Sequence, residues 1–223
     1  MDRPTELLGR AYGQLSSLLA QLDPADFWLP TAASAWCVQD VVFHLLLDAQ
    51  RALMTYATPA VEPADVDAVS YWQPFRPGSD ARAEAAHARF VRLASAAYGS
   101  TEALIGHWDD TASAAVRAAG STAPGTRVAT QGHVLDVDDF SSTLVVEACV
   151  HHLDLLAELS SYPEPDPLVL RHTRGVLESI GGHRFPPSWS DRKAVQLGCG
   201  RGAPTAADRD DAGALVDRLP LLG

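Results

Sequence analysis

Lysine is almost missing from this chain. Of 17 basic residues, 16 are arginine and Lys193 alone is lysine. Cysteine is scarce too: Cys37, Cys149 and Cys199 are odd in number, far apart and free of C-x-x-C spacing. That excludes a disulfide framework and a cysteine-built zinc site, and predicts a reducing, cytoplasmic setting. No run approaches the ~20 apolar residues that span a bilayer. The opening Met1-Asp2-Arg3-Pro4 leads into a helix-like segment and not into a secretory signal. Positive charge is in deficit, with 28 acidic residues, a net charge of -11 and a pI near 5.0. Nucleic acid and anionic membranes are therefore poor partners, and small molecules better ones. At 47% apolar and 20% charged, the chain has the composition of a folded protein. Its 223 residues suit one well-packed domain with at most a small appendix.

Helical periodicity dominates what is present. Leu7, Leu8, Leu15, Leu18, Leu19 and Leu22 predict a first helix over Thr5–Leu22, closed by Asp23-Pro24. A second is expected over Val38–Ala57 and a loop over Thr58–Ser79. A third Ala-rich stretch runs over Asp80–Ala119 with a break near Gly99, and a fourth from Asp138 or Ser141 to Leu159. Arg127–Val134 reads as a short extended excursion. Residues 1–162 thus form an antiparallel four-helix bundle, a mainly α fold. Residues 163–223 form a small α or α/β extension: a helix over Asp166–Ile180, a strand at Ala194–Leu197 and a helix over Thr205–Leu219.

Two of these helices carry narrow polar stripes on otherwise apolar surfaces. On the second, Asp40, His44, Asp48, Arg51 and Thr55 recur every three or four residues around Val41-Val42-Phe43 and Leu45-Leu46-Leu47. On the fourth, Glu147, His151, Asp154 and Glu158 do the same, while eleven of the sixteen residues from Leu144 to Leu159 are apolar. Such stripes also fit the solvated face of an amphipathic helix. Their narrowness, and the prevalence of His, Asp and Glu, favour an internal cleft instead. Helical bundles hold metals through carboxylates and histidines projected inward from facing helices. Glu147 and His151 stand one turn apart, and His44 completes a His-His-Glu set. Three protein ligands with an open fourth position match catalytic zinc, although iron(II) or another divalent ion suits the same donors.

The residues around both stripes follow known signatures. Trp36-Cys37-Val38-Gln39-Asp40-Val41-Val42-Phe43-His44-Leu45 resembles the Trp-x-Val-x-Asp-x-x-x-His-Leu motif of the DinB-like, mycothiol-dependent maleylpyruvate isomerase N-terminal family. Val146-Glu147-Ala148-Cys149-Val150-His151-His152-Leu153-Asp154-Leu155 resembles its Glu-x-x-x-His-x-x-Asp-Leu motif. The resemblance covers roughly residues 5–160 and implies a DinB-like bundle in which His44, Glu147 and His151 bind a divalent metal, usually zinc. Asp40 and Asp154 match recurring positions with supporting or helix-capping roles, and Asp48 joins them in the neighbouring stripe. The resemblance further implies mycothiol, or a similar low-molecular-weight thiol, as cosubstrate, attacking an electrophilic small molecule in a transferase or isomerase reaction. The isomerase itself has a second α/β domain that contributes a basic residue. Here only the short extension follows, and Arg171, Arg174, Arg184, Arg192 and Arg201 are its candidates.

Other residues have more modest expectations. Arg51, Tyr71, Trp72 and His133 are candidates to line a substrate cleft, with Phe75 beside them on the long loop. Cys37 and Cys149 read as packing residues, Cys199 as a loop thiol and His152 as a hydrogen-bonded structural histidine. His87, His107, His172 and His183 lack paired ligand spacing. Beside the enzyme stands a second reading, a non-catalytic module of the same fold that binds metal or a small ligand.

Overall fold

The computed structural model describes residues 2–75, 77 and 80–222. Met1, and the Ser79 end of the expected long loop, lie outside the described residues. The chain is mainly helical. Helix α1 (Pro4–Leu19) starts at a proline whose missing N–H costs nothing in a first turn, and Glu6 accepts the Arg3 N–H at 3.1 Å. Helix α2 (Val38–Tyr56) is capped by Asp40, which accepts the Cys37 N–H at 3.1 Å. The third stretch divides into α3 (Ala81–Ser95) and α4 (Thr101–Ser121), parted at Gly99 as the sequence predicts, and Ser100 caps α4 through the Ala103 N–H. Helix α5 (Val137–Leu155) opens with Asp138 and Asp139, whose charges suit its positive N-terminal end.

Helix α2 lies against α4, and α1 lies against α5. Contacts between α1 and α4 and between α2 and α5 close the four-helix bundle. Helix α3 packs on the outside of α2. The extended excursion is an antiparallel hairpin of β1 (Arg127–Thr130) and β2 (His133–Asp136), with Arg127 opposite Asp136 and Thr130 opposite His133. Its two turn residues, Gln131 (φ 48°) and Gly132 (φ 83°), are both left-handed, the conformation demanded by a tight two-residue hairpin. Glycine takes this up freely; Gln131 does so at a cost.

Helix α6 (Pro167–Gly181) packs on α5 and α1, and α7 (Asp191–Gly198) on α6 and α5. Buried apolar side chains from Leu7 to Leu222 make one continuous core. Two expectations for this part need correction. Ala194–Leu197 is helical, because Ser190 caps α7 by accepting the Lys193 N–H and the buried Ala194, Val195 and Leu197 all belong to one helical turn. Four residues are too few for their periodicity to separate strand from helix. The last helix, α8, stops at Ala212 (Ala206–Ala212), since Gly213 (φ 53°) turns the chain into a 3-10 segment, Gly213–Arg218. Helix α5 also ends earlier than expected, at Leu155. Among the described residues, no helix is long and apolar enough to cross a membrane.

Candidate metal centre

The facing stripes of α2 and α5 meet inside the bundle. His44 Nε2 lies 3.8 Å from Glu147 Oε2, and His151 Nε2 lies 3.4 Å from the same oxygen. One ligand atom from each of the three residues falls within 4.8 Å of the other two. Donor atoms at ordinary zinc bond lengths of ~2.0–2.1 Å stand roughly 3.3–3.4 Å apart in a tetrahedron, so the spacing fits one small divalent ion. The chemistry fits as well, because two imidazole nitrogens and a carboxylate form a borderline-hard set. The site is sheltered: the Glu147 side chain is 24% exposed and that of His151 is 7%.

Electrostatics mark the same cluster. Burial would raise the Glu147 carboxyl, but hydrogen bonds and charge from His151 and His44 hold it well below the usual carboxylate range. Burial would lower His151, yet Asp154 and Glu147 together push it up to about 9. The ionised carboxylates thus favour positive charge on His151, at the place where a cation fits.

Both imidazoles turn Nε2 toward Glu147 and Nδ1 toward a partner. His151 Nδ1 stands 2.9 Å from Asp154 Oδ2. Asp154 is 0% exposed and clamped by Arg201, whose Nε and Nη2 donate to its two oxygens at 2.9 and 3.1 Å. Burial opposes ionisation of Asp154, but His151 and Arg201 keep its pKa lowered. The Asp154 carbonyl also accepts the Ala32 N–H at 3.1 Å, which anchors the loop carrying Trp36. The Trp36 ring stands 5.0 Å from that of His44 and 6.0 Å from that of His151, forming an apolar wall.

Of the five candidate arginines, Arg201 alone reaches this cluster among the contacts of the described residues. Arg174 ties the extension together through Glu178, Asp191 and the Trp189 carbonyl. Arg192 pairs with Glu164, Arg184 is 92% exposed, and Arg171 lines a surface groove beside α6. Asp40 takes the capping role, with Cys37 and the Ser95 hydroxyl as its partners. Asp48 places Oδ2 3.5 Å from His44 Nε2 and Oδ1 3.1 Å from Arg51 Nη2. Arg51 Nη1 donates to Tyr71 Oη at 2.8 Å and to Gln131 Oε1 at 2.7 Å, so the hairpin turn is tied to the stripe. Trp72 is buried beside Tyr71, with the ring centres 5.2 Å apart. His133 does not join this group; it pairs with Asp65 at 2.9 Å on the surface. Glu158 is exposed beyond the end of α5.

The thiols are quiet. Burial pushes Cys149 and Cys199 each up to about 12, and Cys199, expected in a loop, caps the C-terminus of α7. Half-burial also raises Cys37. His152 is buried and donates to the Pro163 carbonyl at 3.1 Å, and burial pushes its pKa down to about 4. Its folded value lies below an unfolded value near 6.5, so its contribution is complete above pH ~6.5 and lost as pH falls toward 4, by ~3 kcal/mol in all. Urea unfolding from pH 7 to 4 should therefore show a shallower acid loss in His152→Gln than in the wild type; identical slopes would contradict this.

Sequence reasoning passed over two contributors and did not single out a third. His87 on α3 brings Nε2 within 3.4 Å of His44 Nδ1, Gln131 anchors Arg51, and Arg201 was one of five equal candidates.

Residues 8–156 match the model of the mycothiol maleylpyruvate isomerase N-terminal domain, a stretch that contains all of α2 and α5. The chain belongs to this family. Its fold is similar to the crystal structure of the mycothiol-dependent maleylpyruvate isomerase, with a TM-score of 0.54 and 16% identity over 80% of this chain and 68% of that one. A histidine-to-alanine variant of that enzyme gives a TM-score of 0.53 and 15% identity with the same coverage. At these identities the likeness is one of fold. Comparison with curated proteins gives no match. Arg201 and its extension lie outside the stretch that matches the maleylpyruvate isomerase domain.

Proposed function

We propose that this chain is a metal-dependent enzyme in which His44, Glu147 and His151 hold one divalent ion, zinc by its donor set. It uses mycothiol or a similar small thiol to transfer to, or isomerise, an electrophilic small molecule. The observation that carries this is the convergence of two Nε2 atoms on one Glu147 oxygen. Family membership and the name of the similar enzyme supply the thiol. A divalent ion in such a site lowers the pKa of a thiol and provides a nucleophile at neutral pH.

The chain's own groups do the rest. Arg201 and Asp154 fix the orientation of His151, and Trp36 walls the site from water. Among the described residues, Asp48 Oδ2 and Arg51 Nε are buried without a hydrogen-bond partner, Asp48 Oδ2 having only the 3.5 Å approach of His44 Nε2, so together they offer an acceptor and a donor beside the site. Tyr12 Oη, also unpartnered, lies within the field of Asp48, Arg51 and Glu147. The protein's own cysteines, raised by burial and unpaired, take no part in this reaction and suit a cytoplasmic setting.

The test is consumption of mycothiol by zinc-loaded protein against maleylpyruvate and a panel of α,β-unsaturated and haloalkyl electrophiles. Turnover is expected, and Glu147→Gln should abolish it. Metal occupancy without turnover on any electrophile would favour the non-catalytic module.

A further inference from the structure

A histidine that binds a metal through one ring nitrogen needs an acceptor for the N–H on the other, which fixes the tautomer and aims the lone pair. His151 has a built one, Asp154 held by Arg201. On His44 the two carboxylates nearest the ring, Glu147 and Asp48, are both on the Nε2 side, at 3.8 and 3.5 Å. The Nδ1 side faces a different element. His87 on α3 brings its Nε2 to 3.4 Å from His44 Nδ1, with the rings 5.4 Å apart and nearly perpendicular.

We infer that His87 is the positioning residue for His44: its Nε2 accepts the His44 Nδ1–H and so directs His44 Nε2 toward Glu147. This rests on the metal reading above. His87 is not itself a ligand, because it meets the edge of His44 that faces away from Glu147.

The placement has a second consequence. Helix α3 is the most loosely packed element around the site, with Val91 and Ser95 as its buried residues. It docks on α2 and its preceding loop through polar latches. Trp36 Nε1 donates to the Ala88 carbonyl at 3.4 Å, Gln39 Nε2 to the Ser95 carbonyl at 2.9 Å, and the Ser95 hydroxyl to Asp40. Trp36 thus touches His44 with its ring and holds the turn next to His87 with its N–H. Docking of α3 and the aim of His44 are one arrangement, so metal affinity reports on both.

The experiment is a zinc titration of the full chain against a chromophoric chelator, for wild type, His44→Ala, His87→Ala and His87→Gln. His87→Ala should weaken zinc by ~10–100-fold. His87→Gln, whose side-chain oxygen accepts from Nδ1–H, should recover most of that loss. His87 is exposed, so thermal unfolding of the metal-free variants should match the wild type. Cobalt-saturated His87→Ala should keep the visible bands of the wild type, because the ligand set is intact. Wild-type affinity in His87→Ala, equal losses in the alanine and glutamine variants, or shifted cobalt bands would each overturn the inference. Zinc binding lost in His44→Ala but present in wild type leaves the metal reading standing whatever His87 does. If the wild type binds no zinc, both fall together.

Discussion

His151→Ala should lose stoichiometric binding of a divalent ion, with zinc affinity reduced by well over the ~10–100-fold that removal of a supporting partner typically costs. The reason lies in what the side chain joins. Its Nε2 is one of two nitrogens converging on Glu147 Oε2, and its Nδ1 carries the hydrogen bond to Asp154. Alanine deletes a ligand and leaves Glu147 with His44 as its remaining imidazole partner. Two donors on separate helices hold an ion far less well than three. Competition titration with a chelator reads the change directly, and zinc bound to His151→Ala at wild-type strength would remove the basis of the site.

The second large effect concerns the fold. Asp154→Ala should destabilise the metal-free protein by about 3–5 kcal/mol, the usual consequence of removing one partner from a buried ion pair. Asp154 is fully buried, and Arg201 is largely buried against it. Alanine strands the guanidinium, leaves the His151 Nδ1–H without its acceptor and opens a small void. Asp154→Asn, which keeps the shape and one accepting oxygen, should cost less. The pH sense follows from the depressed carboxyl: its contribution is present above an unfolded value near 3.9 and disappears as pH falls below it. Urea unfolding at pH 7 measures the difference, and a loss under 1 kcal/mol would show that Arg201 finds another partner.

Much of the site was legible because it is built along helices. His44 to Asp48, Glu147 to His151 and His151 to Asp154 are steps of one turn, and periodicity alone places each pair on a face. The narrow stripes then show which face is enclosed. What could not be read is whatever tertiary packing adds once. His87 sits 43 positions from His44 on an Ala-rich, mostly exposed helix, and no spacing links the two. Arg201 is 47 positions from Asp154, and four other arginines in the extension looked the same in sequence. Gln131, at the left-handed hairpin turn, meets Arg51 from 80 positions away, again with no spacing to announce it. The extension was misread for a related reason: α7 is shorter than the window in which period separates helix from strand.

The scarcity of lysine and the excess of acid take on a local meaning here. Glu147, Asp48 and Asp154 contribute to the charge of -11, yet all three face inward, where Arg51 and Arg201 neutralise part of their charge. A divalent cation would offset the rest. Arginine is the better cation for that work, since its planar fork grips both oxygens of Asp154 at once.

The central claim is that this pocket holds one divalent ion. Metal analysis of the wild-type chain after zinc loading and gel filtration tests it most directly. One zinc per chain, absent from the Glu147→Ala protein, is the predicted result; a wild-type chain that retains no zinc would contradict the account.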